Sequence, residues 1–353
     1  MRTRNAERGT RNRAWKLLRL FRVPPSTFRV LLALTAACAG SPDAPRVAVT
    51  IPPGATLDAA VDSLALHGVI RHPGAFEWYA RMRGLRGALK SGDYLLRPDA
   101  SWSDVVAALG RGHGIETRWT VPEGLMLGEV ATLAAAELGV PRDSFLAAAR
   151  DATLRSELGL SHDVPTVEGY LYPTTYVLPR HVAARELVRV MVREFRSQWP
   201  PEWETRLDSL HLTRHQVVTL ASIVEAEVRY DPDRPYVSAV YHNRLQRGMR
   251  LEADPTVIYA YGRRLKRVWE KNLAVASPYN TYLHRGLPPG PIGDPGRASL
   301  LAALYPAPLP FLYFVAQPDG RHIFSVTFAD HEAAIRAVKR MRSEARGRRP
   351  PGR

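Results

Sequence analysis

Ala221-Ser222-Ile223-Val224-Glu225-Ala226-Glu227-Val228 (ASIVEAEV) places two glutamates in a run that otherwise reads as a buried helix. Thr213 stands ahead of the run as an N-cap, and the helix it starts should reach about Val228. On a helical wheel at about 100° per residue, with Val217 at the origin, Leu220, Val224, Val228 and Ala221 form one apolar stripe. Glu225 falls at about 80° and Glu227 at about 280°, on opposite flanks of the stripe and about 160° apart. The two carboxylates therefore cannot work as a pair with each other, and each answers to different neighbours. A glutamate at the edge of an apolar face loses hydration, which raises its pKa and lets it hold a proton to donate near neutral pH. The competing reading is an ion pair with a nearby arginine: Arg229, Arg234, Arg244, Arg247 or Arg250.

Working outward, an amphipathic helix is expected from His181 to Trp199, ended by Pro200-Pro201, and another over Tyr236–Leu245 after Pro235. Residues 277–298 are rich in Pro and Gly and should form an ordered loop. Phe311–Val315 and His322–Thr327 read as a hairpin with Asp319-Gly320 in its turn, followed by a last helix, Ala329–Arg342. Nearer the N-terminus two segments are related at an offset of about 70 residues. Thr50-Ile51-Pro52-Pro53-Gly54, Leu57, Gly68-Val69 and Phe76 recur as Thr120-Val121-Pro122-Glu123-Gly124, Leu127, Gly139-Val140 and Phe145. Each copy reads strand, Pro/Gly turn, helix, short loop, helix. Between them a strand at Ser91–Leu96, a helix at Trp102–Leu109 capped by Ser101 or Ser103, and a strand at Glu116–Val121 follow the pattern of small glycan-binding modules such as LysM. The fold class is therefore α+β: a small LysM-like N-terminal module followed by a larger mixed α/β domain. The expected boundaries are 1–45 for a basic arm, signal or membrane-anchor segment and linker, 46–118 for the module, 119–342 for the larger domain and 343–353 for a disordered basic tail.

The chain of 353 residues carries a formal charge of +15, which suggests a nucleic-acid binder until the charge is located. Residues 1–30 hold nine Lys/Arg against one acid, and residues 331–353 hold eight against two, so nearly all the excess lies in the two ends. The globular part is close to neutral and shows no face that interleaves aromatic and basic residues, so nucleic acid is not expected as a partner. Val30–Ala37 is an apolar run after an Arg-rich segment, as in a signal peptide, and is far short of the roughly 20 residues that span a bilayer. Thr35-Ala36-Ala37-Cys38 resembles a lipoprotein cleavage box around the single cysteine. Three readings stay open: lipidation at Cys38, an uncleaved anchor from Trp15 to Cys38, and a disordered arm on a cytosolic protein. There is no HExxH or Cys/His cluster at zinc spacing, no GxSxG elbow and no GxxxxGKS loop, so no metal or cofactor is expected.

The ASIVE segment is followed by Val240-Tyr241-His242-Asn243-Arg244-Leu245 and by Gly248–Tyr259 with Asp254-Pro255-Thr256 inside it. Ser277-Pro278-Tyr279-Asn280-Thr281-Tyr282 and Gly286–Ile292 come next. Upstream stand Val121-Pro122-Glu123-Gly124 and Glu168-Gly169-Tyr170-Leu171-Tyr172-Pro173; downstream, Tyr313-Phe314-Val315, His322–Ser325 and His331. This ordered set, over about residues 46–338, resembles the endolytic murein transglycosylases, the YceG-like proteins. The resemblance implies cleavage of peptidoglycan between MurNAc and GlcNAc without water, leaving a 1,6-anhydro-MurNAc end, and a LysM-like subdomain ahead of the catalytic domain. It implies attachment to the inner membrane with the catalytic domain outside the cytoplasm, and glycan strands and cell-wall synthases as partners. The family's catalytic acid carries over to Glu225.

That chemistry explains a lone acid. Inverting and retaining glycosidases both need a second carboxylate. Here the sugar's own C6 hydroxyl attacks C1, so one glutamate can protonate the leaving oxygen and then accept the hydroxyl proton. Glu227, Asn243, Asp254, Thr256, Tyr279, Asn280, Thr281 and Glu168 are the expected substrate-groove residues. For Asp254 a helix cap and for Glu168 a salt bridge compete with that role. Glu252 stands where the family suggests Gln. Two other functions remain in view: a water-using glycoside hydrolase that recruits Asp254 or Glu227, and a non-catalytic glycan-binding scaffold for cell-wall synthases.

Overall fold

The structure, a computed structural model, describes residues 45–112, 114, 116–160, 164–262 and 269–347. The Arg-rich arm, the apolar run, Cys38 and the last six residues lie outside the described residues. The chain divides between Ile115 and Glu116 into two compact units.

In the N-terminal unit β1 (Val47–Ile51) leads through a Pro52-Pro53-Gly54 turn into α1 (Leu57–Leu66), capped by Thr56 Oγ1 accepting from Ala59 N. Then follow α2 (Pro73–Met82), the short α3 (Leu85–Ala88), β2 (Gly92–Leu96) and α4 (Trp102–Arg111), which Ser101 caps. β2 returns antiparallel to β1, pairing Val47 with Leu96 and Ile51 with Gly92. Val49, Ile51, Leu64, Val69, Phe76, Tyr94, Val105 and Leu109 form the unit's apolar core.

The second unit opens with the same motif. β3 (Glu116–Thr120) passes through Pro122-Glu123-Gly124 into α5 (Leu127–Leu138) and α6 (Arg142–Arg150), then α7 (Ala152–Glu157) and β4 (Thr175–Pro179), which pairs antiparallel with β3. The repeat read from the sequence is thus a structural one. Gly54 and Gly124 take φ of 79° and 73°, Gly68 and Gly139 both take 67°, and Phe76 and Phe145 are both fully buried. The glycines recur because these turns need the left-handed region that a Cβ disfavours. The expected strand–helix–strand grouping across residues 91–121 is not formed. Its two strands belong to different sheets, because each pairs with the other strand of its own repeat copy.

Beyond the repeat the second unit is mainly helical: α8 (Ala184–Ser197), α9 (Pro201–Leu210), α10 (Arg214–Glu227), α11 (Arg234–Gln246), α12 (Asp254–Ala260) and α13 (Arg297–Leu304). α10 is the centre. Thr213 Oγ1 accepts from Gln216 N while Gln216 Oε1 accepts from Thr213 N, a reciprocal cap at its start. Every residue from Val217 to Val224 is buried, including Thr219 and Ser222, so the helix is covered all round rather than along one stripe. α11, α12 and α13 pack against it. Thr219 and Ser222 are tolerated inside because each hydroxyl donates to a carbonyl of its own helix, of His215 at 2.7 Å and Thr219 at 2.7 Å. The hairpin β5 (Tyr313–Ala316) and β6 (His322–Ser325) precedes α14, which runs from Phe328 past Arg342 to Gly347 because Ser343–Arg346 contains good helix formers. Among the described residues no helix is long and apolar enough to cross a membrane.

Candidate active site

The C-terminal end of α10 delivers Glu225 and Glu227 to different surroundings, as the wheel requires. Glu225 Oε2 accepts from the backbone N–H of Gly296 at 3.0 Å and faces Arg234 Nη1 at 3.2 Å. Arg234, at the start of α11, is itself buried and is held by Asp231 Oδ1 and by the Ser299 hydroxyl. The arginine that Glu225 meets is therefore one of the five the sequence offered, and the pair is hydrogen-bonded on both sides.

The loop that supplies Gly296 is fastened at several points. Ser222 Oγ, the serine of ASIVE, accepts from Ile292 N at 3.0 Å. His215 Nε2 bonds the Pro289 carbonyl at 3.1 Å and so carries the proton, which leaves Nδ1 to accept from Tyr170 OH at 3.0 Å. Asp294 Oδ1 accepts from Gly169 N at 2.7 Å and Leu171 N at 3.1 Å. Gly169 has φ of 84°, and a Cβ there would overlap the Pro291 ring, so only glycine fits under the proline-rich loop. Backbone bonds from Gly124 N to Asp294 O (2.7 Å) and from Asp294 N to Leu125 O (2.9 Å) join the Pro122–Gly124 turn to the same loop. They bring Glu123, an exposed residue, beside Glu225. Partial loss of hydration and the Glu225 charge both push Glu123 up, while Arg234 pulls it down. Asp294 is fully buried, and its carboxyl is pushed well above the usual range by lost hydration and by Glu168.

On the other flank Glu227 Oε1 accepts from Tyr241 OH at 2.9 Å. Lost hydration pushes Glu227 up to about 7; the Asp254 charge adds to the rise and the tyrosine hydroxyl opposes it. Asp254 Oδ1 in turn accepts from Tyr282 OH at 2.8 Å. The raised carboxyl expected at the edge of the apolar helix is thus found at Glu227. A third cluster forms around Glu168, whose Oε1 accepts from Leu127 N at 2.8 Å and Oε2 from Tyr259 OH at 2.6 Å, with Tyr279 against the Tyr259 ring. Burial raises the Glu168 carboxyl. Glu168 and Tyr259 line a cavity of about 430 Å3 together with Arg142 and Arg150.

The remaining expected groove residues form framework contacts. Thr256 and Thr281 are buried and share a hydroxyl–hydroxyl bond of 2.9 Å, and Thr281 Oγ1 also accepts from Ala253 N. Asn280 is buried, with its amide spent on the carbonyls of Leu273 and Val275. Asn243 donates to the carbonyls of Leu309 and Phe311. Asp254 is the first residue of α12 and does not cap it. Glu252 points toward solvent and pairs with Arg244 at 3.1 Å. Glu123, Asp294, Tyr241 and Tyr282 were not among the expected site residues. Glu123 had a signal in its quoted turn. Asp294 had none, because its partner Gly169 is 125 residues away. Among the described residues no cluster of three or more His, Cys, Asp or Glu could hold a metal ion.

This arrangement has known relatives. The sequence profile of the YceG-like family matches residues 49–337. An endolytic murein transglycosylase of Bacillus subtilis (strain 168) is 31% identical over 302 residues, covering 82% of this chain and 83% of that protein. One of Streptococcus pneumoniae serotype 2 is 28% identical over 319 residues, covering 82% of this chain and 58% of that longer protein. The crystal structure of a putative YceG-like protein from Listeria monocytogenes superimposes with a TM-score of 0.57 at 30% identity, over 82% of this chain and 98% of that one. The chain belongs to the YceG-like family.

Proposed function

We propose that this chain is an endolytic murein transglycosylase whose acid–base is Glu225. The observation that carries the assignment of the residue is the placement of the ASIVE glutamate. Its carboxyl lies where the Pro122–Gly124 turn meets the 292–296 loop, held in one orientation by the Gly296 N–H and Arg234 and flanked by an exposed second carboxyl. A group that must deliver a proton to one oxygen and take one from another gains from being fixed in this way. Glu225 protonates the oxygen leaving C1 of MurNAc as the C1–O bond breaks. The C6 hydroxyl oxygen then bonds to C1, and its proton returns to Glu225. No water enters, and the product ends in 1,6-anhydro-MurNAc. Trimming or termination of nascent glycan strands is the corresponding role.

The N-terminal unit is proposed as a LysM-like glycan-binding module. Its two antiparallel strands joined through helices, in the order β1–α1–α2–α3–β2, support this, as does Trp78, which is exposed on α2 and suited to stack on a sugar ring. Attachment to the inner membrane through the N-terminal segment, with the catalytic unit outside the cytoplasm, rests on the Arg-rich and apolar pattern that ends at Cys38. Cell-wall synthases are the proposed protein partners. A second reading of the acid is favoured by one observation: Glu227, at about 7, has the ionisation expected of a general acid.

Mass spectrometry of muropeptides released from purified sacculi tests both. The wild-type chain should release anhydro-MurNAc ends and Glu225→Gln none, with Glu227→Gln still active. Activity that survives in Glu225→Gln and disappears in Glu227→Gln would move the acid to Glu227. Reducing MurNAc ends from the wild type would mean hydrolysis.

A further inference from the structure

The carboxyl next to Glu225 sits on a turn that this chain builds twice. In the N-terminal copy, Pro52-Pro53-Gly54, its place is taken by Pro53. Both copies follow a strand, precede a helix and keep the positive-φ glycine, so the turn itself needs no carboxylate. Nor does Glu123 stabilise it locally, since no hydrogen bond reaches its carboxyl among the described residues. What is particular to the second copy is the destination of the turn. Its backbone bonds to Asp294 hold it on the loop before α13, and a Cβ at Gly124 would stand 3.4 Å from Glu225 Cγ.

Gly296 is the meeting point. Its N–H donates to Glu225 Oε2, and a Cβ built on it would overlap the Glu123 carboxyl. Two carboxyl groups therefore lean on one glycine. The charged and titratable groups that act on Glu123 are Glu225, Arg234, Asp231 and Tyr172, and Tyr172 in turn faces Arg297 and Glu194. Arg297 is drawn elsewhere, over the Trp203 ring and onto the Gln198 carbonyl. Arg234 is left to face Glu225, Glu123 and Asp231 together, one positive charge among three carboxyls.

We infer that Glu123 is a positioning residue for the catalytic proton: the charge of its carboxyl, which leans on the same glycine as Glu225, keeps that proton at the site. The inference rests on the assignment of Glu225 as the acid. Like charges that lean on one neighbour resist ionising together, so the Glu123 charge should keep the proton at the site to higher pH than in its absence. The upward shift of Glu123, caused by partial loss of hydration and by Glu225, is in the same sense.

The test is the pH dependence of anhydro-MurNAc release from sacculi by the full chain. In Glu123→Gln the alkaline limb should move to lower pH by about 1 unit, because the charge that holds the proton is gone. Gly296→Ala is an independent route to the same result. Gly296 has φ of −75°, which alanine adopts freely, and the new methyl would displace the flexible Glu123 carboxyl while leaving the N–H to Glu225. Glu123→Asp, which keeps the charge, should leave the limb near its wild-type position. An unmoved limb in both Glu123→Gln and Gly296→Ala, or a loss of rate that is uniform across pH, would overturn the inference. Glu225→Gln in the same assay separates the two claims. If it is inactive and the limb is unmoved, only the role of Glu123 fails; if it is active, the assignment of Glu225 fails and the role of Glu123 falls with it.

Discussion

Glu225 and Glu227 leave the same turn of α10 and end in opposite kinds of surroundings. Glu225 meets a guanidinium and a backbone N–H, which fix the orientation of its carboxyl. Glu227 meets a single tyrosine hydroxyl and another acid, and burial pushes it up to about 7. Two residues of helix rotate the side chain by about 200°, which is enough to exchange one wall of the helix for the other. Chemical identity and near-adjacency in sequence therefore say little about ionisation; the groups packed on each face decide it.

The largest break of this comparison is in activity. Glu225→Gln should lower anhydro-product formation about 10^3-fold or more, against less than about tenfold for Glu227→Gln, read by muropeptide mass spectrometry. Equal losses would mean that both flanks face the reacting sugar. Next comes stability on the Glu225 side. Arg234→Leu leaves Glu225 and Ser299 without their buried partner and should cost about 3 kcal/mol in urea denaturation. A cost near zero would show that the ion pair contributes nothing to the fold.

On the Glu227 side the effect has the opposite sign and depends on pH. The folded carboxyl, at about 7, lies above the ordinary glutamate value. The stability it contributes is present in full below about pH 4 and is lost as pH rises through about 7. Glu227→Gln cannot charge. It should be more stable than wild type at about pH 8, by up to roughly 3 kcal/mol, and no different at about pH 4. Thermal melts at the two pH values check this, and a variant destabilised at both would refute the buried-acid picture. The smallest effect is expected away from both flanks. Asn243→Ala removes two bonds to the carbonyls of Leu309 and Phe311 and should cost about 1–2 kcal/mol with little change in KM, contrary to a role in gripping sugar.

Much of the architecture was legible before any coordinates. The duplicated strand–turn–helix–helix segment was visible because its glycines and buried aromatics are demanded locally, by positive φ and by the core position of Phe76 and Phe145. Strand partners were not legible. The Ser91–Leu96 and Glu116–Val121 segments look like one module along the chain, yet each closes its own repeat copy, since pairing depends on partners about 45 to 60 residues away. The groove was legible only as a set of motifs. Thr256, Asn280 and Thr281 stand in the same two motifs as Asp254 and Tyr282, but their hydrogen-bonding capacity is consumed by the framework.

The sequence by itself determined that the two glutamates could not act on each other, because 100° per residue is a property of any helix. It also determined which family the chain resembles, because several motifs in fixed order are specific where one is not. Only the tertiary structure decided what each glutamate meets. Arg234, Gly296 and Glu123 reach Glu225 from 9 residues after it, 71 after it and 102 before it. Ionisation follows those long-range neighbours through lost hydration and nearby charge, and neither is encoded in the local run ASIVEAEV.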